Sequence, residues 1–259
     1  MKRAVNLKIY FILLSASIIS ILAIMPYILT LQGDTLRAAP LPFPLVILIV
    51  VTQSALLFAL LTFIGLKLSN KLGFQIPIIE KIVAKEKIDF DIKPIIKTSV
   101  ALGALTGVAI VLLDFIFFQF GLESLFKVVS VPIWQGFLAS FYGGISEEIV
   151  MRLFFMTFIV WLTSIITRPK GRIIENNLLV WASIFIAALL FGLGHLPITA
   201  ELTTLTPLII FRALLLNGIG GAVFGWLYWK KGLESAMIAH FSADIILHVC
   251  LPFILMMSR

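Results

Sequence analysis

Three short strings set ionisable side chains inside apolar segments of this chain: EEIVMR at Glu147 to Arg152, FGLGH at Phe191 to His195, and HFSAD at His240 to Asp244. A charge at mid-membrane costs at least ~2.5–3.5 kcal/mol on insertion scales, so such residues mark a functional site by default. Two acids, two histidines and a third carboxylate around one pocket are what water activation and oxyanion stabilisation require. The pattern points to an enzyme buried in a membrane.

Within the strings the spacing divides the roles. On a helix Glu148 and Arg152 stand four apart and face each other, a favourable pairing. Glu147 lies ~100° round from Glu148 at 3.6 residues per turn and has no partner in its own segment. One reading makes all three a structural ion network. The other has Arg152 neutralise Glu148 while Glu147 faces a cavity as a general base. His195, at the end of an apolar span, reads either as an interfacial histidine or as part of the site, with Phe191 one turn earlier as its wall. His240, Asp244 and His248 fall at i, i+4 and i+8, one helical stripe that lines a wet cavity or binds something. The single cysteine, Cys250, excludes an intramolecular disulfide and a cysteine-rich metal site, and reads as packing.

These residues have to be positioned by helices in lipid. The chain has 259 residues, 61% hydrophobic and 13% charged, against ~45–50% and ~25% in an ordinary soluble domain. Apolar runs at 9–31, 41–66, 98–120, 134–166, 178–197, 207–229 and 233–257 are long enough to cross a hydrocarbon core, for which ~17–25 residues suffice. The expected fold is all-α, a polytopic transmembrane helical bundle. It has seven spans, or eight if the fourth or last run is broken, with the catalytic core in the last four.

The net charge of +7 could suggest nucleic acid, but its distribution excludes that. With loops assigned alternately from a cytoplasmic N-terminus, the inside holds Lys2, Arg3, Lys8, the lysines from Lys67 to Lys97, Arg168, Lys170, Arg172, Lys230 and Lys231. The outside holds only Arg37, Lys127 and Arg259, while Arg152 and Arg212 fall within spans. This is the asymmetry of the positive-inside rule, so positive charge here sets topology. The expected location is the cell membrane, multi-pass, with a cytoplasmic N-terminus. The first segment exceeds the ~7–15-residue core of a signal peptide and is not followed by a small-residue cleavage site, so it reads as an uncleaved anchor.

Residues 67–97 separate two parts: scaffold spans and a cytoplasmic linker over 1–97, and a catalytic core over 98–259 with its motifs in 133–248. The linker mixes lysines with Glu80, Glu86, Asp89 and Asp91. Its Ile76, Ile79, Ile82 and Val83 suggest an amphipathic surface helix, with a solvated linker as the alternative. Glycines at 143, 144, 192, 194, 218, 220, 221 and 225 allow close helix approach, and Gly103 with Gly107 does the same in the third span. Depth poses a problem. If Trp161, Trp181 and Trp229 mark one interface, Glu147 and His195 lie ~21 Å below it, but His240 only ~10 Å below Leu233, at 1.5 Å per residue. Helices must tilt or break, or the turn at 230–234 must be recessed.

Together the three strings resemble the motifs EExxxR, FxxxH and Hxxx(N/D) of the type II CAAX prenyl endopeptidase-like (CPBP, or Abi) family, which also holds bacteriocin-processing and self-immunity proteins. The resemblance covers 132–248. It implies a glutamate-dependent intramembrane endopeptidase with catalytic residues Glu147, Glu148, Arg152, His195, His240 and Asp244. Glu147 and His195 would activate a water; His240 and the residue four later would stabilise the oxyanion. No cofactor or metal is implied. The implied partners are a peptide or protein substrate, with or without a C-terminal prenyl group, and membrane lipid. Asp244 stands where the prenyl-processing branch usually has asparagine. An ionised aspartate repels an oxyanion, so Asp244 acts protonated or by orienting His240, as a triad acid orients its histidine. Three alternatives stay open: a transporter with a buried Glu/His/Asp path, a catalytically silent immunity or scaffold protein, and a zinc hydrolase with Glu147, His195 and His240 as ligands.

Overall fold

Apolar chain in hydrocarbon must pair every backbone N–H and C=O within itself, and helices do this segment by segment. The computed structural model describes residues 5–88, 91–121, 131–169 and 171–257, and among them there is helix and no strand. Lys2, Arg3, Asp89, Lys127, Lys170 and Arg259 lie outside the described residues. Seven helices are long and apolar enough to span a membrane: α1 (Leu7–Arg37), α2 (Phe43–Leu72), α4 (Ile92–Gln119), α5 (Ile133–Thr167), α6 with its continuation α7 (Asn177–Leu202), α8 (Pro207–Lys231) and α9 (Leu233–Met257). The long fourth run and the last one therefore each stay one span.

Their ends follow capping chemistry. Asn6, Asp91, Asn176 and Thr206 accept a hydrogen bond from a first-turn N–H of the helix they open, satisfying donors that would otherwise be orphaned. Gly73 ends α2 at φ +93°, a left-handed conformation that glycine adopts without a Cβ penalty.

The buried core runs through Ile149, Leu153, Met156 and Val160 of α5, Val180 and Ile184 of α6, and Phe224 and Leu227 of α8. Lipid is as apolar as these side chains, so packing rather than hydrophobicity holds the helices together. Small residues set the approach. A Cβ at Gly103 or Gly107 of α4 would strike Ala239, Ala243 or Ile246 of α9.

The linker contains a short helix with no buried residue, as the spacing of its isoleucines suggests. It folds as α3 (Pro77–Ala84) and covers the turn between α8 and α9. Glu234 Oε1 accepts from the N–H groups of Ile78 and Ile79 at 2.9 Å each, and Leu233 N donates to Gln75 O at 3.1 Å. Gly232 reverses the chain at φ +97° directly against Pro77. Leu233, Ser235 and Ala236 are consequently fully buried. The turn at 230–234 is thus recessed beneath α3, which is one of the arrangements that the depth of the three strings calls for. At the same end of the bundle Trp229 Nε1 donates to Ile174 O at 2.8 Å, Trp181 packs edge-on against Trp229, and Lys71 lies 5.7 Å from the Trp161 ring centroid.

Candidate active site

The glutamates sit where α5 departs from α-helical geometry. It is α-helical over Ile133–Phe141 and 157–167, but widens to π-helix over Tyr142–Glu147 and Ile149–Met156. π-Helix is rare and concentrates at functional sites because its wider turn re-aims side chains. Here it parts neighbouring residues: Glu148 is fully buried, while the Glu147 side chain is 24% exposed and lines a cavity.

Glu148 joins two partners. Its Oε2 lies 3.2 Å from Arg152 Nε, and its Oε1 accepts from His240 Nδ1 at 2.7 Å. Arg152 reaches Gly221 O at 3.4 Å through Nη2, and its guanidinium stands 5.2 and 5.6 Å from the Phe191 and Phe224 ring centroids. A carboxylate can only accept, so the Nδ1 of His240 carries a proton and its Nε2 is turned to the cavity. Phe224 stacks on that ring at 4.7 Å and Phe191 meets it edge-on at 5.7 Å. His240 is thus locked by one charge and two rings.

Around Nε2 the other acids converge. Glu147 Oε2 is 3.6 Å away and Asp244 Oδ1 3.7 Å. Gly143 makes room for them, since a Cβ there would strike Asp244 Oδ2 and lie 3.1 Å from His240 Nε2. The carboxylate that orients His240 is therefore Glu148. This corrects the triad-like role offered for Asp244, which stands at the opposite ring nitrogen. The reason is register between helices: π-helical widening brings Glu148 under Nδ1 of a ring reached from α9.

His195 lines the same cavity. It donates from Nδ1 to Phe191 O at 2.9 Å. A carbonyl only accepts, so the neutral ring keeps an acceptor at Nε2. Phe191 touches both histidines, with its ring centroid 4.6 Å from that of His195. Among the described residues, no three or more His, Cys, Asp and Glu side chains are grouped as ligands of a metal ion would be.

The cavity has a volume of about 760 Å³. From the acid–histidine end it runs between apolar walls that include Ile24 and Ile28 of α1, Ile110 of α4, Leu216 of α8 and Leu247 of α9. Sequence reasoning placed the site in the last four spans, yet α1 and α4 also line it. It also passed over a second polar feature. Arg212 donates through Nε and Nη2 to Asp114 Oδ1, a buried pair between α8 and α4 on the cavity wall. Both were visible as charges within apolar runs; their pairing was not.

This geometry agrees with a match to a known family. Residues 129–246 match the family model "Type II CAAX prenyl endopeptidase Rce1-like". That segment is Rce1-like. It contains all three strings and every contact described around His240. No curated protein and no solved structure matches the chain. Tyr27, Ile24 and Ile28, which wall the cavity from α1, lie outside the Rce1-like segment.

Proposed function

We propose that this protein is an intramembrane endopeptidase of the CAAX-processing or bacteriocin-related type that hydrolyses a peptide bond with a water activated by Glu147 and His195. The observation that carries the reading is the meeting of Glu147, His240 and Asp244 around one ring nitrogen at the polar end of an apolar cavity. Glu147 takes a proton from the water, and His195 Nε2 accepts a hydrogen bond from its other hydrogen. The hydroxide adds to the scissile carbonyl. With a proton on Nε2, His240 donates to the oxyanion, and Asp244 lies beside it. Collapse breaks the C–N bond, and the proton held by Glu147 passes to the leaving amine, giving a carboxylic acid and an amine, between which one proton then transfers to give carboxylate and ammonium. Glu148 and Arg152 touch no reacting atom in this scheme; they hold His240.

The apolar walls suit a hydrophobic or C-terminally prenylated peptide delivered from the bilayer. Loop charge supports the cell membrane as location and a cytoplasmic N-terminus. The test is purification in detergent and a screen of prenylated and unprenylated peptides. Wild type is expected to cleave, with activity surviving EDTA, and Glu147→Gln to be folded and inactive. Equal activity in Glu147→Gln, or loss in EDTA restored by zinc, overturns the mechanism.

A further inference from the structure

Asp244 lies between two imidazoles. Its Oδ1 is 3.7 Å from His240 Nε2 and 4.0 Å from His248 Nε2. His248 belongs to none of the three strings, yet it lines the cavity and is held from three helices. Tyr27 of α1 meets its ring edge-on at 5.7 Å. Gly136 of α5 packs against its backbone carbonyl, where a Cβ would collide. Asp244 stands one turn before it on α9. That last turn widens to π-helix over Ile246–Cys250, which carries His248, and a small ring rotation or one bridging water closes the remaining gap.

The chemistry asks for such a neighbour. A charged carboxylate beside His240 Nε2 opposes the developing oxyanion, whereas a protonated carboxyl whose proton is free of other acceptors donates to it. Glu147 can only accept, His240 is committed to Glu148 at its other nitrogen, and His195 is tied to Phe191 O. Tyr27, Gln32, Tyr142, Thr199, Arg212 and Asn217 are the other polar groups on the cavity walls; Arg212 is paired with Asp114, and Thr199 and Asn217 donate to carbonyls one turn back on their own helices. We propose that His248 is a positioning residue for the reaction: its ring N–H, directly or through one water, occupies Oδ1 of Asp244, so that the carboxyl carries its one proton on Oδ2 and meets the oxyanion as a hydrogen-bond donor rather than as a free negative charge. The inference rests on the protease reading above.

The test is a double-mutant cycle on the full-length protein, with His248→Ala and His248→Gln made in wild type and in Asp244→Asn. An asparagine donates without help, so His248 should matter only while residue 244 is an acid. The expected result is a fall in kcat of about 10- to 100-fold in wild type, below the ~10²–10³-fold cost of a whole oxyanion donor, with KM unchanged. In Asp244→Asn the same changes should alter kcat by less than about 2-fold, the non-additivity of groups that act as one. Glutamine keeps a polar side chain if alanine fails to fold. An unchanged kcat, or the same loss in both backgrounds, overturns the proposal. Infrared difference spectra give a readout independent of turnover: a protonated-carboxyl band that Asp244→Asn removes should weaken or shift in His248→Ala, and a band unmoved by His248→Ala overturns the pairing. If the band responds but no peptide is cleaved, the protease reading fails and the pairing stands.

Discussion

Replacing Glu148 with glutamine removes one charge from the middle of a buried chain of contacts. Arg152 Nε lies 3.2 Å away on one side and His240 Nδ1 2.7 Å away on the other. Both the carboxylate and the guanidinium are essentially inaccessible to water. Removing one partner of such a pair typically costs ~3–5 kcal/mol, because the remaining charge is left buried. The low end is expected here, since Arg152 keeps Gly221 O and the faces of Phe191 and Phe224. The amide cannot replace the carboxylate in either orientation. With its oxygen towards His240, its NH2 faces the guanidinium; flipped, it presents a donor to a nitrogen that already carries a proton. Turnover should therefore also fall by ~10²–10⁴, the range for a misplaced acid–base group. Denaturant unfolding in micelles and steady-state peptide hydrolysis measure the two effects. Adding Arg152→Met removes the stranded cation, so the double variant Glu148→Gln/Arg152→Met should regain most of the stability and none of the activity. Stability of Glu148→Gln within ~1 kcal/mol of wild type would refute the reasoning, since a buried ion pair cannot lose a partner that cheaply.

Other outcomes follow from the same contacts. Asp244→Ala should lower kcat ~10²–10³-fold, while Asp244→Asn keeps substantial activity; equal loss in both would show that residue 244 does not act through a hydrogen bond. Gly143→Ala drives a methyl into Asp244 Oδ2 and towards His240 Nε2, so it should abolish hydrolysis. Gly218→Ala, with nothing within 4 Å of the new carbon, should be neutral or stabilise by up to ~1 kcal/mol through helix propensity. Asp114→Asn should destabilise by ~3–5 kcal/mol by stranding Arg212 in the bundle, and a thermal-unfolding midpoint equal to wild type would count against a buried pair.

The seven spans, the three strings and the separate fates of Glu147 and Glu148 were legible in the residues alone. Hydropathy runs count helices because a continuous apolar run in lipid satisfies its backbone within its own segment only as a helix. Spacing along a helix fixes which neighbours share a face, so the Glu148–Arg152 contact needed no structure. Contacts between helices depend instead on rotation and depth, which a 3.6-residue period does not encode. That is why the acid that orients His240 is Glu148 rather than Asp244: the π-helical widening of α5 and the close approach of α9 at Gly143 and Gly144 set the register. The recess of Gly232 beneath α3 is likewise tertiary, because two backbone donors of a distant helix capture Glu234. So are the α1 wall of the cavity and the Arg212–Asp114 pair. The sequence by itself determined which side chains had to be reckoned with inside the bilayer; only the packing of seven helices decided which of them touch, because each of those contacts joins segments whose mutual rotation no local pattern constrains.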